Sequence, residues 1–283
     1  MPELPEVETM RRGILPIVGS RIRQVDRVPC RRKPIVIAPR LDRFRRRVVG
    51  QQVIAVERAG KRVVLRLEST DRIVLEPRMT GLVLLADPPS REHLRFRIEL
   101  AGGPIAELFY WDRRGLGRIR LLSAAEFSAD CGRSKLGPDA LEISVDELRD
   151  NLRASSRAIK VALLDQKQVA GIGNLYASEM LFAARIHPAR RCRQLTRIEW
   201  ERLHAEMRRI LETAIRYEGS TLSDGTYRNA LNESGGYQNE HRVYDQARNL
   251  CSACGSTEIV RIVQAQRATF FCPTCQPKTK RRQ

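Results

Sequence analysis

Apolar side chains are spaced in two different ways along this chain. Between residues 20 and 125 the stretches RIRQVDRV, QQVIAVERA, KRVVLRLE, RIVLEP, LRFRIEL and IAELFYW are short, alternating or rich in β-branched residues. Glycine, proline or aspartate separates them, so each reads as a strand bounded by turns. Six such runs with one helix predict a β-sandwich or barrel of about 130 residues. From about residue 139 the period lengthens. VDELRDNLRASSRAIKVALLDQ and NLYASEMLFAARI read as helices separated by a Gly171–Gly173 turn. In TRIEWERLHAEMRRILETAIRYEG, Thr196 is a candidate cap and Trp200, Leu203, Met207, Ile210, Leu211 and Ala214 keep helical spacing up to a stop at Gly219. Residues 220–240 are polar and aperiodic, which predicts a long functional or disordered loop.

The N-terminus MPELPEVETM admits two readings. Pro5 suits a first helical turn, and Glu6 and Glu8 suit the positive end of a helix dipole. Alternatively, loss of Met1 leaves a proline secondary amine beside the Glu3 carboxylate. An α-amine titrates near 7.7–8.0, so part of it is an unprotonated nucleophile at neutral pH.

Charge narrows the partner. Lys and Arg number 51 against 33 Asp and Glu, a net of +18, with arginine clusters at 11–12, 31–32, 45–47 and 113–114 and a basic tail, KTKRRQ. Such an excess favours a polyanion, foremost nucleic acid, with an acidic protein or membrane surface as the other candidates. No run of about 18 apolar residues exists to span a bilayer, and acids stand where a signal peptide carries basic residues, so export is not expected.

Of the seven cysteines, Cys30, Cys131 and Cys192 stand alone, while Cys251-x2-Cys254 and Cys272-x2-Cys275 form two pairs 17 residues apart. Four thiolates on two tight turns predict one structural zinc with no open coordination position, in a reducing compartment. A redox dithiol or an iron–sulfur site is the alternative. The spacer GSTEIVRIVQAQRATFF alternates as a hairpin does and carries Arg267, a candidate phosphate contact.

Taken together, PELPEVET, RMTG (78–81), DRRGLG (112–117), KLGPDAL (135–141), AIKVALLDQKQVAGIGNLYASEMLF (158–182) and QAQRATFFCPTC (264–275) resemble the formamidopyrimidine-DNA glycosylases, bacterial enzymes that repair 8-oxoguanine. The resemblance runs from Pro2 to Gln276 in the family's order. It implies an α+β multidomain fold with an N-terminal β-sandwich over 1–134, a helix-two-turn-helix DNA-binding domain with a lesion-capping loop over 135–240, and a zinc β-hairpin with the basic tail over 241–283. It further implies a bifunctional DNA glycosylase and AP lyase for oxidised purines, acting as a cytoplasmic monomer on duplex DNA with one structural zinc and no catalytic metal or organic cofactor. By resemblance, Pro2 is the nucleophile, Glu3 the acid/base, Glu6 a supporting carboxylate, and Lys61 and Arg267 the cations beside the damaged nucleotide. His93, Lys160 and Asn174 are the implied DNA contacts. Met79, Arg114 and Leu116 are the implied void-filling residues for a flipped base. The chain departs from the family at Leu116, usually phenylalanine, and at Glu76, where the family has histidine and where a carboxylate would repel a nearby phosphate. A DNA-binding protein without catalysis and a lyase for oxidised pyrimidines are the rival functions.

Overall fold

The computed structural model describes residues 2–132 and 134–278; residues 279–283 of the basic tail lie outside it. The chain forms two compact units, one from residues 1–132 and 214–238, the other from 133–213 and 239–283.

The first unit is built around helix α1, Leu4–Gly13. Pro5 lies in its first turn, Glu6 at its positive end, and Arg11 and Arg12 at its negative end, so the dipole reading of this segment holds. Two sheets follow. One has the order β1-β7-β8-β6, the other β2-β9-β5-β4-β3, and all pairs but β2–β9 are antiparallel. The strands are β1 Arg21–Arg27, β2 Val36–Ala38, β3 Val53–Ala59, β4 Arg62–Leu67, β5 Arg72–Glu76, β6 Gly81–Leu84, β7 Leu94–Ala101, β8 Glu107–Asp112 and β9 Arg118–Leu122. Val25, Val63, Ile73, Leu82, Phe96 and Ile119 from both sheets share one core with Val7 and Met10 of α1, which makes this a β-sandwich with a helix on its flank.

All six strands read from the pattern are present. The pattern missed β2, β6 and β9, which are short, and two helices, α2 (Leu41–Val48) and α3 (Ala124–Cys131). In α2 only Leu41, Phe44 and Val48 are apolar, so its arginines conceal about two amphipathic turns.

The second unit contains α4 (Val145–Leu152), α5 (Ile159–Leu163), α6 (Asn174–Ala183) and α7 (Arg197–Arg216), the last running into the first unit. The stretch 145–166 therefore breaks into two helices rather than one. Ser144 caps α4, its Oγ accepting Glu147 N–H at 3.2 Å. Thr196 and Glu199 cap α7 reciprocally, at 3.4 and 2.8 Å. Strands β10 (Val260–Gln264) and β11 (Arg267–Phe271) pair antiparallel across Ala265 and Gln266, both left-handed at φ 45° and 61°.

The sequence assigned 214–238 to the helical domain, yet this segment packs with the sandwich. Ala230 O accepts Leu85 N–H at 2.8 Å, and Glu6 accepts Ser220 N–H at 2.9 Å. A polar loop finds its hydrogen bonds where the backbone donors and acceptors are, whatever its position in the chain.

Candidate active site and nucleic-acid interface

Pro2 and Glu3 are both buried at the start of α1. Glu3 is the helix N-cap: its carbonyl accepts Val7 N–H at 3.0 Å. Its N–H donates to Glu6 Oε2 at 2.8 Å, while Glu6 Oε1 takes the Ser220 N–H. Glu6, 3 % exposed, thus uses both oxygens to fix the N-terminal residues and the start of the 220–240 loop. Gly219 presses against it at φ +80°; a Cβ there would lie 2.9 Å from Glu6 Oε1 and 3.0 Å from the Tyr227 ring. Burial, followed by the charge of Glu6, holds the Tyr227 phenol protonated well above its usual range; it donates to Glu218 O at 2.9 Å.

Lys61 sits at the tip of the β3–β4 hairpin, half-buried. Glu8 of α1 steadies this tip. Its Oε2 accepts Arg58 Nε at 3.0 Å, and Arg58 Nη1 donates to Gly60 O at 3.1 Å. Arg11 and Arg12 also donate to Glu8, at 2.8 Å each. Burial alone would raise the Glu8 pKa, but these arginines outweigh it and hold the carboxyl at about 2.

Met79 and Arg114, on the loops before β6 and after β8, touch: Arg114 Nη1 lies 3.1 Å from Met79 Sδ. Met79 is 41 % exposed, and Leu116, two residues after Arg114, is half-buried. Both loops hang from Asp112, which sequence reasoning passed over although it opens the DRRGLG motif. Glu76, a departure from the family, is buried within ion pairs to Arg120, Arg78 and Arg62 at 2.5, 3.4 and 3.6 Å. Three guanidiniums offset its charge, so it organises arginines instead of repelling phosphate. His93 is half-buried and packs edge-to-face on Trp111, with ring centroids 5.4 Å apart.

In the second unit, Asn174 is the first residue of α6, after a Gly173 cap. Lys160 is not at the surface. It is 1 % exposed, and its Nζ donates to Asn174 Oδ1 (2.7 Å), Ala268 O (2.9 Å) and Thr269 Oγ1 (2.7 Å). Asn174 Nδ2 donates to the same Ala268 O at 2.9 Å. Lys160 thus bolts the helices to β11, whose first residue is the exposed Arg267.

The sulfurs of Cys251, Cys254, Cys272 and Cys275 all lie within 4.8 Å of one another. Cys251–Cys275 and Cys254–Cys272 are 3.8 Å apart. A tetrahedral zinc with bonds of about 2.3 Å requires sulfurs about 3.8 Å apart, so this donor set fits that ion. Gln276 fastens the cluster to the helices, donating to Ile186 O at 2.8 Å and accepting Cys272 N–H at 3.0 Å.

Comparison with known families matches residues 1–119 to the formamidopyrimidine-DNA glycosylase N-terminal domain, 136–226 to the H2TH domain of the same enzymes, and 250–278 to the zinc finger found in FPG and IleRS. Sandwich, H2TH helices and zinc finger in one chain define a DNA-repair glycosylase. The formamidopyrimidine-DNA glycosylase of Symbiobacterium thermophilum is 40 % identical over 98 % of this chain and 90 % of its own. That of Thermus thermophilus is 38 % identical over 98 % of both. Among solved structures, a Lactococcus lactis FPG mutant in complex with Fapy-dG-containing DNA superposes with a TM-score of 0.86 at 34 % identity, covering 98 % of this chain and 100 % of the other. The MutM (FPG) protein of Thermus thermophilus gives 0.85 at 36 %, with the same coverage. The chain belongs to the formamidopyrimidine-DNA glycosylase family.

Proposed function

We propose that this glycosylase is bifunctional, excising oxidised purines from duplex DNA through the Pro2 amine and then cutting the strand. The observation that supports this most directly is the buried Pro2–Glu3 start of α1, immobilised by the two-oxygen grip of Glu6. A nucleophile held this way loses little freedom on reaching the reacting carbon.

Once Met1 is removed, the Pro2 nitrogen lone pair attacks C1′ as the N-glycosidic bond breaks. Glu3 delivers the proton that the departing base or the ribose ring oxygen needs. Ring opening gives an iminium that stays cationic without protonation, which acidifies the C2′ proton. Loss of that proton expels the 3′ phosphate, and a second elimination expels the 5′ phosphate. Lys61 contacts phosphate and assists proton transfer, and Arg267 grips the phosphates flanking the flipped nucleotide and assists the second elimination. Met79, Arg114 and Leu116 fill the space left by the extruded nucleotide, with Arg114 facing the orphaned partner base. Asn174 contacts backbone phosphate, and Lys160 acts from inside by holding Asn174 and β11. His93, just before β7, contacts the DNA backbone. The four cysteines hold zinc, which supplies structure to the hairpin. The enzyme works as a monomer in the bacterial cytoplasm.

The test is borohydride trapping on duplex DNA carrying 8-oxoguanine opposite cytosine, with the adduct located by peptide mass spectrometry. An adduct on the Pro2 nitrogen supports the mechanism. An adduct on a lysine, or specific binding with no adduct, refutes it. Thymine glycol excised faster than 8-oxoguanine or formamidopyrimidine would overturn the purine preference. Intact mass checks the premise, since a retained Met1 leaves no proline amine.

A further inference from the structure

Asp112 ends β8 with its side chain fully buried, and none of the chemistry above employs it. Its Oδ1 accepts the Thr80 hydroxyl at 2.5 Å and Arg114 N–H at 3.1 Å. Its Oδ2 accepts Gly117 N–H at 2.7 Å. Thr80 Oγ1 in turn accepts Arg114 N–H at 3.0 Å, and Arg95 Nε donates to the Asp112 carbonyl at 2.8 Å. One carboxylate therefore ties the Met79 loop, through Thr80, to both ends of the loop carrying Arg114 and Leu116. The β6–β8 pairing sets Gly81 opposite Asp112. Tyr110 closes the floor of this frame: a Cβ at Gly81 or Gly117 would overlap its hydroxyl, which is occupied with Glu76 O at 2.7 Å.

We propose that Asp112 is a positioning residue that fixes the spacing of Met79 and Arg114, and through it the preference for one partner base over another. This inference rests on the void-filling role given to those side chains above. Both are long, flexible and at the surface, so their bases are all that the fold can hold rigid. Displacement of a positioning group by about 1 Å is enough to cost about a hundredfold in rate. Charge-assisted bonds from a buried carboxylate to three donors are the means of preventing it.

Asp112→Asn keeps the volume but replaces one acceptor oxygen with an N–H2 group, which must then face Gly117 N–H or the Thr80 and Arg114 donors. The expected result is about a tenfold loss of 8-oxoguanine excision opposite cytosine and a several-fold fall in the cytosine-over-adenine preference. Cleavage of an abasic site in single-stranded DNA, which has no partner base and no void, stays within about twofold. Thr80→Val removes one hydroxyl and shifts the same ratio in the same direction by a smaller factor; it decides the matter if Asp112→Asn does not fold. A folded variant with an unchanged ratio overturns the proposal. So does an equal loss on every substrate, single strands included, which marks general damage to the fold. Arg114→Ala separates the two layers. If it leaves the cytosine-over-adenine ratio unchanged, the void-filling assignment itself fails. If it lowers the ratio and Asp112→Asn does not, only the positioning role fails.

Discussion

Replacing Lys160 with methionine distinguishes an internal bolt from a phosphate contact. Methionine keeps the length of the side chain and removes the ammonium, so no cavity opens. Three acceptors face the lysine Nζ, but Ala268 O also receives Asn174 Nδ2 and stays satisfied. The change therefore strands two oxygens, Thr269 Oγ1 and Asn174 Oδ1, at about 1 to 3 kcal/mol each. Removing a buried charge returns part of that through desolvation, leaving a net loss of about 2 to 3 kcal/mol. The assay is denaturant unfolding followed by tryptophan emission. The chain has only two tryptophans, so Trp111→Phe leaves Trp200, in the second unit, as the sole reporter. The companion measurement is the salt dependence of DNA affinity. A true phosphate contact contributes about 0.9 to the slope of log K against log salt; an internal bolt weakens binding without changing that slope. A Lys160→Met protein of unchanged stability whose slope falls by about 0.9 would refute the reasoning.

The acid limb of stability carries a contribution from Glu8. Its carboxyl titrates at about 2 when folded, against an ordinary 4.5, so its contribution is full above 4.5 and disappears as pH falls towards 2. It amounts to about 3 kcal/mol; circular dichroism of acid unfolding should show Glu8→Gln with a flatter loss between those values, and identical limbs would count against it. Gly219→Ala should cost about 2 kcal/mol, from a left-handed φ plus displacement of Glu6, and should slow single-turnover excision; thermal unfolding and quench kinetics check both. Cys254→Ser should abolish stoichiometric zinc in elemental analysis and weaken DNA binding while Trp111 emission reports a folded sandwich. Retained nicking activity would argue against a structural ion.

Alternation sufficed to find the long strands because each has one face in the core. It failed at β6, whose four residues are all buried, and at α2, where arginine outnumbers the apolar positions. The four cysteines were legible because their chemistry depends on residue type and spacing. Lys160 and Asp112 were not, since burial and partners in distant segments decide what they do. A lysine in a helix reads as solvated until Ala268 and Thr269, more than a hundred residues later, are seen to claim it. Glu76 shows the same limit in reverse: its apparent repulsion vanishes once the arginines around it are placed.

The chain leaves the first unit at residue 132 and returns to it at 214, which bears on how the protein emerges from a ribosome. Glu6 is among the first residues synthesised, yet the Ser220 amide that occupies one of its oxygens comes more than two hundred residues later. The grip of Glu6 is therefore completed only after most of the helical unit has been made. A truncated product that stops before α7 would bear all nine sandwich strands and still lack the Ser220 contact to Glu6, so under the proposed mechanism incomplete chains are not expected to nick DNA.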